Sequence, residues 1–290
     1  MSLFEDGYWW SPDGLRLHYR DYAGGQDGRP PILCLPGLTR NARDFEMLAD
    51  RLAGEWRLIC PDLRGRAESA YAKDSMTYVP LTYLQDISRL LADLAISRFV
   101  LVGTSLGGVI GMLIAATHPE WLAGAILNDV GPTIEEKGLD RIRSYVGVGS
   151  THPSWVHAAR ALEEANRDVF PLYGLDQWLA MAKRLYRLNN AGRIVLDYDM
   201  RIADPLRAAG NDAAVDMWPV MPAFAGAPTL VLRGALSDLL SAETAERMAR
   251  EIGPNAEIAT VPDVGHAPAL DEPEAIAAVD RLLERVRANG

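Results

Sequence analysis

Short apolar runs alternate with longer amphipathic segments through most of this chain. Two alternating runs flank a Ser-Pro-Asp-Gly turn at residues 11–14 and predict a β-hairpin. Six further strands are predicted at PPILCLPG, WRLICPD, RFVLVG, LAGAILND, PTLVLRG and AEIATVP. Helix-length connections separate most of them, and the runs are apolar throughout. This pattern predicts an α/β fold with a mostly parallel eight-stranded sheet and helices on both faces.

The alternation stops after residues 128–132 and resumes only at residues 228–234. The interval is rich in Trp and Tyr and contains three helical patterns, LDRIRSYVG, WVHAARALEEANRDVF and LDQWLAMAKRLYRL. We therefore expect an inserted helical lid at residues 132–222, between a first part of the core at 1–131 and a second part at 223–290. Because the sheet is completed on both sides of the insertion, lid and core are expected to fold together.

One serine stands where a predicted strand runs into a helical pattern, in Gly103-Thr104-Ser105-Leu106-Gly107. The glycines permit a sharp turn that flanking side chains would block, and the turn presents the Ser105 hydroxyl at the carboxyl edge of the sheet. The helix start also leaves free N–H groups beside that hydroxyl. The motif G-x-S-x-G in this context predicts a catalytic nucleophile.

Two later loops contain the base and the acid that a serine nucleophile requires. Asp238 follows the seventh predicted strand and His266 follows the eighth. Both therefore lie at the sheet edge where Ser105 emerges, and the order Ser, Asp, His is the one expected for this motif. We predict a catalytic triad of Ser105, Asp238 and His266.

These motifs resemble those of the α/β-hydrolase superfamily, in its lid-bearing, esterase-like branch. The resemblance covers nearly the whole chain and rests on GTSLGG, LRGALSD, GHAPALDEP and the LPGL that follows the third strand. It implies an α/β-hydrolase fold with an inserted helical lid. Some members keep the acid after the sixth strand, where this chain has Asp129. The Gly-x-x-Ser-Asp pattern after the seventh strand favours Asp238.

The resemblance also implies an oxyanion hole made by the backbone N–H groups of Leu38 and Leu106. Two such donors stabilise the negative charge of a tetrahedral intermediate. The chain departs from the family pattern at two positions. Pro36 stands where many relatives carry His, and Ala67 stands where the turn D-x-R-G-x-G-x-S has its second glycine. We therefore expect different hydrogen bonds around the loop of Leu38 and a different placement of the turn.

Aromatic residues of the predicted lid are candidates for the wall of a substrate pocket. The candidates are Trp155, Phe170, Tyr173, Trp178, Tyr186 and Trp218, and those selected for contact with the substrate are Trp155, Tyr173, Trp178 and Trp218. Their helical spacing also fits a packing role inside the lid. Arg40 and Arg43 follow the oxyanion loop, where a cation would attract an anionic substrate, although surface arginines are common.

Composition limits the partners. The formal charge is −10 over 290 residues with scattered acidic positions, so no extended basic surface for nucleic acid or anionic lipid is expected. The longest nearly apolar run, residues 106–117, is shorter than the roughly 20 residues that cross a bilayer, and we expect no membrane partner. The N-terminus lacks a signal-peptide pattern, which favours the cytoplasm. The dispersed histidines predict no metal, and no cofactor is expected.

The sequence thus predicts a serine-dependent hydrolase of carboxylic esters with small to medium acyl or alcohol groups. It would act on a small-molecule substrate through an acyl-enzyme on Ser105. A lactonase or carbon–carbon bond hydrolase that uses the same triad is a second hypothesis. A non-catalytic small-molecule receptor that keeps triad-like residues is the alternative from another class. Rapid labelling of Ser105 by a fluorophosphonate would indicate an activated nucleophile.

Overall fold

The computed structural model describes residues 4–25, 27–208 and 216–289. The strands are β1 Glu5–Trp10, β2 Arg16–Tyr22, β3 Ile32–Leu35, β4 Leu58–Asp62, β5 Phe99–Thr104, β6 Leu122–Asn128, β7 Thr151–His152, β8 Tyr186–Leu188, β9 Ile194–Leu196, β10 Thr229–Gly234 and β11 Ala256–Val261. The helices are α1 Glu46–Leu52, α2 Pro80–Asp93, α3 Leu106–Thr117, α4 Glu136–Tyr145, α5 Trp155–Asn166, α6 Leu175–Leu185, α7 Asp204–Arg207, α8 Ala242–Ile252 and α9 Pro273–Ala288.

Eight of these strands form the central sheet, in the order β1-β2-β4-β3-β5-β6-β10-β11. The hairpin β1-β2 is antiparallel and pairs antiparallel with β4, whereas every pair from β4 to β11 is parallel. The mostly parallel eight-stranded sheet and the α/β-hydrolase fold predicted from the sequence are confirmed. Since the carboxyl ends of parallel strands share one edge, the loops after β5, β6, β10 and β11 converge there.

Each face of the sheet is covered by helices, which explains why the strands are apolar on both sides. Along β3, Ile32 and Cys34 belong to a buried cluster with residues of α1 and α9. The alternating residues Leu33 and Leu35 belong to the opposite cluster, with residues of α2, α3 and α8. Burial on two faces therefore replaces the apolar and polar alternation of a half-exposed strand.

The segment between β6 and β10 contains helices α4 to α7 and a small sheet in the order β7-β9-β8. The helix predicted through residues 175–188 ends at Leu185, because Tyr186–Leu188 pairs antiparallel with Ile194–Leu196. The small sheet was not predicted from the sequence. The limits 1–131, 132–222 and 223–290 stay a prediction, and residues 209–215 of the predicted lid lie outside the described residues.

Among the described residues, no helix is long and apolar enough to span a bilayer.

Candidate active site

Ser105 stands on a strained turn between β5 and α3. Its backbone has φ 52° and ψ −116°, a conformation that residues other than glycine rarely adopt. A Cβ on Gly107 would lie 2.0 Å from the carbonyl oxygen of Leu35, and a Cβ on Gly103 would lie 2.7 Å from that of Gly107. The turn therefore requires glycine at both positions, and it places Ser105 on the wall of a cavity at the sheet edge.

A continuous chain of hydrogen bonds joins Ser105 to His266 and a buried carboxylate. Ser105 Oγ lies 3.0 Å from His266 Nε2, and His266 Nδ1 lies 2.7 Å from Asp129 Oδ2. Asp129 is fully buried and also accepts hydrogen bonds from the N–H of Gly234 and the hydroxyl of Ser237. A carboxylate only accepts hydrogen bonds, so Nδ1 carries the ring proton and Nε2 accepts from the serine.

Asp238, the acid predicted from the sequence, does not contact His266. Its carboxylate accepts two hydrogen bonds from Arg141 of α4, at 2.6 and 2.8 Å. The predicted contact between Asp238 and the histidine is therefore wrong, and Asp129 holds that position. The reason is the direction of the loop: Ser237 turns toward Asp129, and the next side chain faces the inserted helix. The hydrogen bonds from Arg141 lower the pKa of Asp238.

Sequence reasoning could have found Asp129 from its place in the sheet. It follows directly on β6, which lies beside β5, the strand that ends just before Ser105. Asp238 is occupied by Arg141, a cation of the insertion that pairs with its carboxylate. Its position is not visible in the spacing of the core motifs, because the insertion folds back onto the core only in the tertiary structure.

The two predicted oxyanion donors lie beside the serine, one at the start of α3 and the other in the loop after β3. Leu106 is the first residue of α3, so its N–H has no acceptor within the helix. Leu38 follows Gly37, and a Cβ on Gly37 would lie 3.7 Å from Ser105 Cβ. The Gly37 carbonyl accepts a hydrogen bond from Arg40 N–H at 3.1 Å. In a trans peptide the N–H points opposite to the C=O, so the Leu38 N–H points away from this turn.

The cavity beside Ser105 and His266 has a volume of about 520 Å³. The phenylalanine and tyrosine residues on its wall are Phe45, Tyr145, Phe170, Tyr186 and Tyr198. Four of the aromatic residues proposed for the substrate pocket do not line this cavity, namely Trp155, Tyr173, Trp178 and Trp218.

Packing against other side chains explains why these four aromatic residues lie away from the cavity wall. Trp178 is buried, its ring meets Phe170 and Tyr173 edge-on, and its Nε1–H donates to the Tyr173 carbonyl. Trp218 donates from Nε1 to the Thr133 hydroxyl at the other end of the insertion, and Arg247 covers its ring at 3.6 Å. Trp155 packs against the cluster that includes α1 and α9. The helical spacing of these aromatics thus indicates packing.

The cavity wall carries an excess of positive charge. Among the described residues, its Arg and Asp side chains are Arg40, Asp44, Arg141 and Arg184. Arg40 forms two hydrogen bonds with Asp44, and Arg141 is paired with Asp238 behind the wall. Arg184 Nε lies 3.8 Å from Asp44 Oδ1 and has no hydrogen-bond acceptor among the described residues. One guanidinium charge is therefore left without a carboxylate of its own. Arg43, the other predicted cation, pairs with Asp197 and does not line the cavity.

Comparison with known proteins places this chain among hydrolases. Residues 32–279 match the model of the alpha/beta hydrolase family. The chain is 36% identical to 3-hydroxybutyrate-oligomer hydrolase of Cupriavidus necator, over 92% of each protein. It is 28% identical to 2-(acetamidomethylene)succinate hydrolase of Mesorhizobium japonicum, over 87% of this chain and 85% of that protein. The crystal structure of an alpha/beta hydrolase from Novosphingobium aromaticivorans has 58% identity and a TM-score of 0.94, covering 98% of this chain and 99% of that one.

Proposed function

Because the chain belongs to the alpha/beta hydrolase family, we propose that it is a serine-dependent hydrolase of carboxylic esters that acts through an acyl-enzyme on Ser105. The observation that carries the proposal is the hydrogen-bonded chain from Ser105 through His266 to Asp129, on the wall of a cavity. A cavity of this size is typical of small-molecule sites, which measure about 300–1,000 Å³. The acid in this proposal is Asp129 rather than Asp238.

The residues would act in two half-reactions. Ser105 Oγ attacks the ester carbonyl carbon while its proton passes to His266 Nε2, and Asp129 stabilises the imidazolium that forms. The N–H groups of Leu38 and Leu106 hold the oxyanion of the tetrahedral intermediate. His266 then protonates the departing alcohol, which leaves the acyl group on the serine. Water activated by His266 releases the acid.

The substrate class we propose is a linear oligoester of a short hydroxy acid that ends in a free carboxylate. The name of the 36% identical relative, 3-hydroxybutyrate-oligomer hydrolase, describes such a compound. The guanidinium of Arg184, on the cavity wall without a carboxylate of its own, supports recognition of an anionic group. A guanidinium binds carboxylate with charge-assisted hydrogen bonds, which are about twice as strong as neutral ones.

Hydrolysis by wild type and Ser105→Ala, measured in parallel, tests the reaction. The substrates are p-nitrophenyl esters from acetate to decanoate, and the dimer and trimer of 3-hydroxybutyrate. We expect wild type to cleave the oligomers and short esters, and Ser105→Ala to lose more than about 10³-fold in kcat/KM. Ester hydrolysis retained in the Ser105→Ala variant would remove this serine from the mechanism.

The proposed recognition of carboxylate is tested with Arg184→Gln. Hydrogen bonds to charged groups contribute roughly 1.5–3 kcal/mol, so KM for the free-acid dimer should rise at least about 10-fold. KM for the methyl ester of the same dimer should change less than about threefold. The matched control is Arg187→Gln, because Arg187 is more exposed, pairs with Asp197 and is absent from the cavity wall. Equal effects on acid and methyl ester would contradict the role of Arg184.

The alternative hypotheses predict other outcomes of these assays. A lactonase or carbon–carbon bond hydrolase would leave the linear esters intact and cleave lactones or diketo acids through Ser105. A receptor would bind ligands without turnover, and a fluorophosphonate would label Ser105 slowly or not at all. Two observations favour the oligoester. One is the name of the 36% identical relative, and the other is the charge of Arg184 on the cavity wall.

A further inference from the structure

Arg66 lies in the turn after β4 and is completely buried. Its guanidinium forks onto one backbone carbonyl: Nε and Nη2 both donate to the oxygen of Leu38, at 2.9 and 2.8 Å. Nη1 donates to the carbonyl of Arg64 at 2.6 Å and to the hydroxyl of Tyr83 at 3.0 Å. The side chain thus joins the turn after β4 to the loop that carries a proposed oxyanion donor.

The partners of this guanidinium are all neutral. None of its hydrogen bonds within the described residues goes to a carboxylate, although its neighbour Arg64 pairs with both Asp13 and Asp86. Taking a charge out of water is costly, and neutral acceptors return only part of that cost. A general contribution to stability therefore explains this buried Arg66 poorly, and its specific contact is with the loop of Leu38.

Two successive carbonyl groups of the Leu38 loop accept hydrogen bonds from outside their own peptides. The peptide between Gly37 and Leu38, which presents the proposed donor N–H, is held on its carbonyl side by Arg40 N–H at 3.1 Å. The next peptide, between Leu38 and Thr39, is held on its carbonyl side by Arg66. Two successive peptide planes are thus oriented by separate donors. A donor held in place before reaction stabilises an oxyanion without reorganising.

The turn around Arg66 has alanine, Ala67, at a position where the family pattern has glycine. Ala67 has a φ of 44°, the left-handed conformation that usually requires glycine, and its N–H donates to the Asp197 carbonyl at 3.0 Å. The left-handed turn is therefore present with alanine at the glycine position, and the preceding residue, Arg66, is buried. The loop of Leu38 follows Pro36, and Arg66 holds it through the Leu38 carbonyl.

We propose that Arg66 is a positioning residue for the oxyanion hole, which orients the Leu38 peptide through the fork from its guanidinium to the Leu38 carbonyl. This inference rests on the proposed hydrolysis at Ser105. Arg66 acts through Leu38, so its loss lowers the rate of the chemical step and leaves substrate binding intact. The same loss weakens any inhibitor that forms an oxyanion in this hole.

The test compares Arg66→Lys, which keeps a cation but not the fork, and Arg66→Met, which keeps neither. Tyr83→Phe is the matched control, because it removes one acceptor of Arg66 and leaves both bonds to Leu38. We measure kcat and KM for the best ester, and the inhibition constant of an aliphatic trifluoromethyl ketone, which forms a tetrahedral adduct on a reactive serine. Far-UV circular dichroism and the thermal midpoint confirm that each variant is folded.

We expect both Arg66 variants to lose about 10- to 100-fold in kcat, with KM within about threefold of wild type. The inhibition constant of the ketone should rise by the same factor, and Tyr83→Phe should stay within about twofold on every measure. A folded Arg66→Lys with wild-type kcat overturns the proposal, and so does a loss of kcat without loss of ketone affinity. If Arg66→Met does not fold, Arg66→Lys decides.

Failure of the proposed function has a different signature. In that case the wild type itself does not hydrolyse the esters. Wild-type activity together with Arg66 variants that match it would refute the positioning role alone.

Discussion

Two aspartates lie near the histidine loop, and their hydrogen-bond partners separate their roles at the residue scale. Asp129 is fully buried, and its carboxylate accepts bonds from His266, Ser237 and the N–H of Gly234. Asp238 is partly exposed and pairs with Arg141. The first arrangement orients an imidazole, whereas the second ties the insertion to the loop after β10.

Asparagine substitutions distinguish the two carboxylates. Asp129→Asn should lower kcat by about 10³- to 10⁴-fold, because an amide can present its NH₂ to Nδ1 and so favour the tautomer that cannot accept the serine proton. Asp238→Asn should keep kcat within about fivefold of wild type, since it loses only part of a partly exposed ion pair that does not include His266. Hydrolysis of the best ester measures both variants. The opposite ranking would restore Asp238 as the acid.

At the scale of single elements, the end of α2 carries a strained residue. Leu94 caps the helix, and the N–H of Ile96 donates to the Leu91 carbonyl while the N–H of Ala95 donates to the Ala92 carbonyl. These two bonds form a Schellman motif, whose left-handed position is usually glycine. Ala95 occupies it with a φ of 53°.

Replacing Ala95 with glycine should stabilise the protein. The left-handed conformation costs alanine roughly 1–2 kcal/mol, and glycine loses about 0.5–1 kcal/mol more backbone entropy on folding. Ala95→Gly should therefore raise the free energy of unfolding by about 0.5–1 kcal/mol in urea titrations with an unchanged slope. Ala92→Gly, an exposed position inside the same helix, is the control and should destabilise by up to about 1 kcal/mol. A loss of stability in both variants would contradict the assignment.

The junction between the N-terminal hairpin and β4 contains a buried histidine between two carboxylates. His18 on β2 lies 2.7 Å from Asp62 of β4 through Nδ1 and 2.9 Å from Asp6 of β1 through Nε2. Burial disfavours the charged ring, but the hydrogen bonds and charges of Asp62 and Asp6 outweigh it, so the pKa of His18 is raised. Protonated His18 therefore stabilises the attachment of the hairpin.

The raised pKa of His18 predicts how stability depends on pH. The contribution of the charged ring is complete below the pKa of an unfolded histidine, about 6.5, and is lost as pH rises through the higher pKa of the folded state. The difference in unfolding free energy between wild type and His18→Gln should thus be largest near pH 6 and shrink by pH 9. Urea titrations across this range measure it. A difference that does not vary with pH would contradict the coupling.

At the scale of the whole molecule, the inserted segment shares a hydrophobic core with the sheet. Ala158 of α5 and Trp178 of α6 belong to the same buried cluster as Ile126 of β6 and Val279 of α9. The pairing of Arg141 with Asp238 and the hydrogen bond from Trp218 to Thr133 add polar ties. Removing the segment would expose apolar surface on both sides, which favours a single cooperative unit.

Hydrogen exchange followed by mass spectrometry tests that cooperativity. Peptides from α6 and from β6 should exchange with the same opening free energy when small amounts of denaturant are added, because both open only in global unfolding. The terminal turn of α9 provides an internal control for local fraying. Exchange of α6 at a much lower opening free energy would show that the insertion unfolds by itself.

Local chemistry was enough to predict the strands of the central sheet, most helices and the turn at Ser105. Strands buried on both faces and amphipathic helices leave strong patterns in the chain. Glycines are required where a side chain would collide with a neighbouring carbonyl, as a Cβ on Gly107 would at 2.0 Å, and they leave a short motif. Ser105 and His266 were found because each follows a strand of the parallel sheet, whose carboxyl ends share one edge. These features depend on neighbours in sequence or on a general rule of topology.

Only the tertiary structure decided which distant groups meet. Asp129 and Asp238 both follow strands, and the choice depends on where Ser237 turns and where Arg141 of the insertion lies. The small sheet overrode the helical pattern at Tyr186–Leu188, because strand pairing is a contact between segments. The fork from Arg66 to Leu38 joins residues 28 positions apart in two loops. Such contacts are determined by the packing of the whole chain. The spacing of residues along one segment carries no information about them.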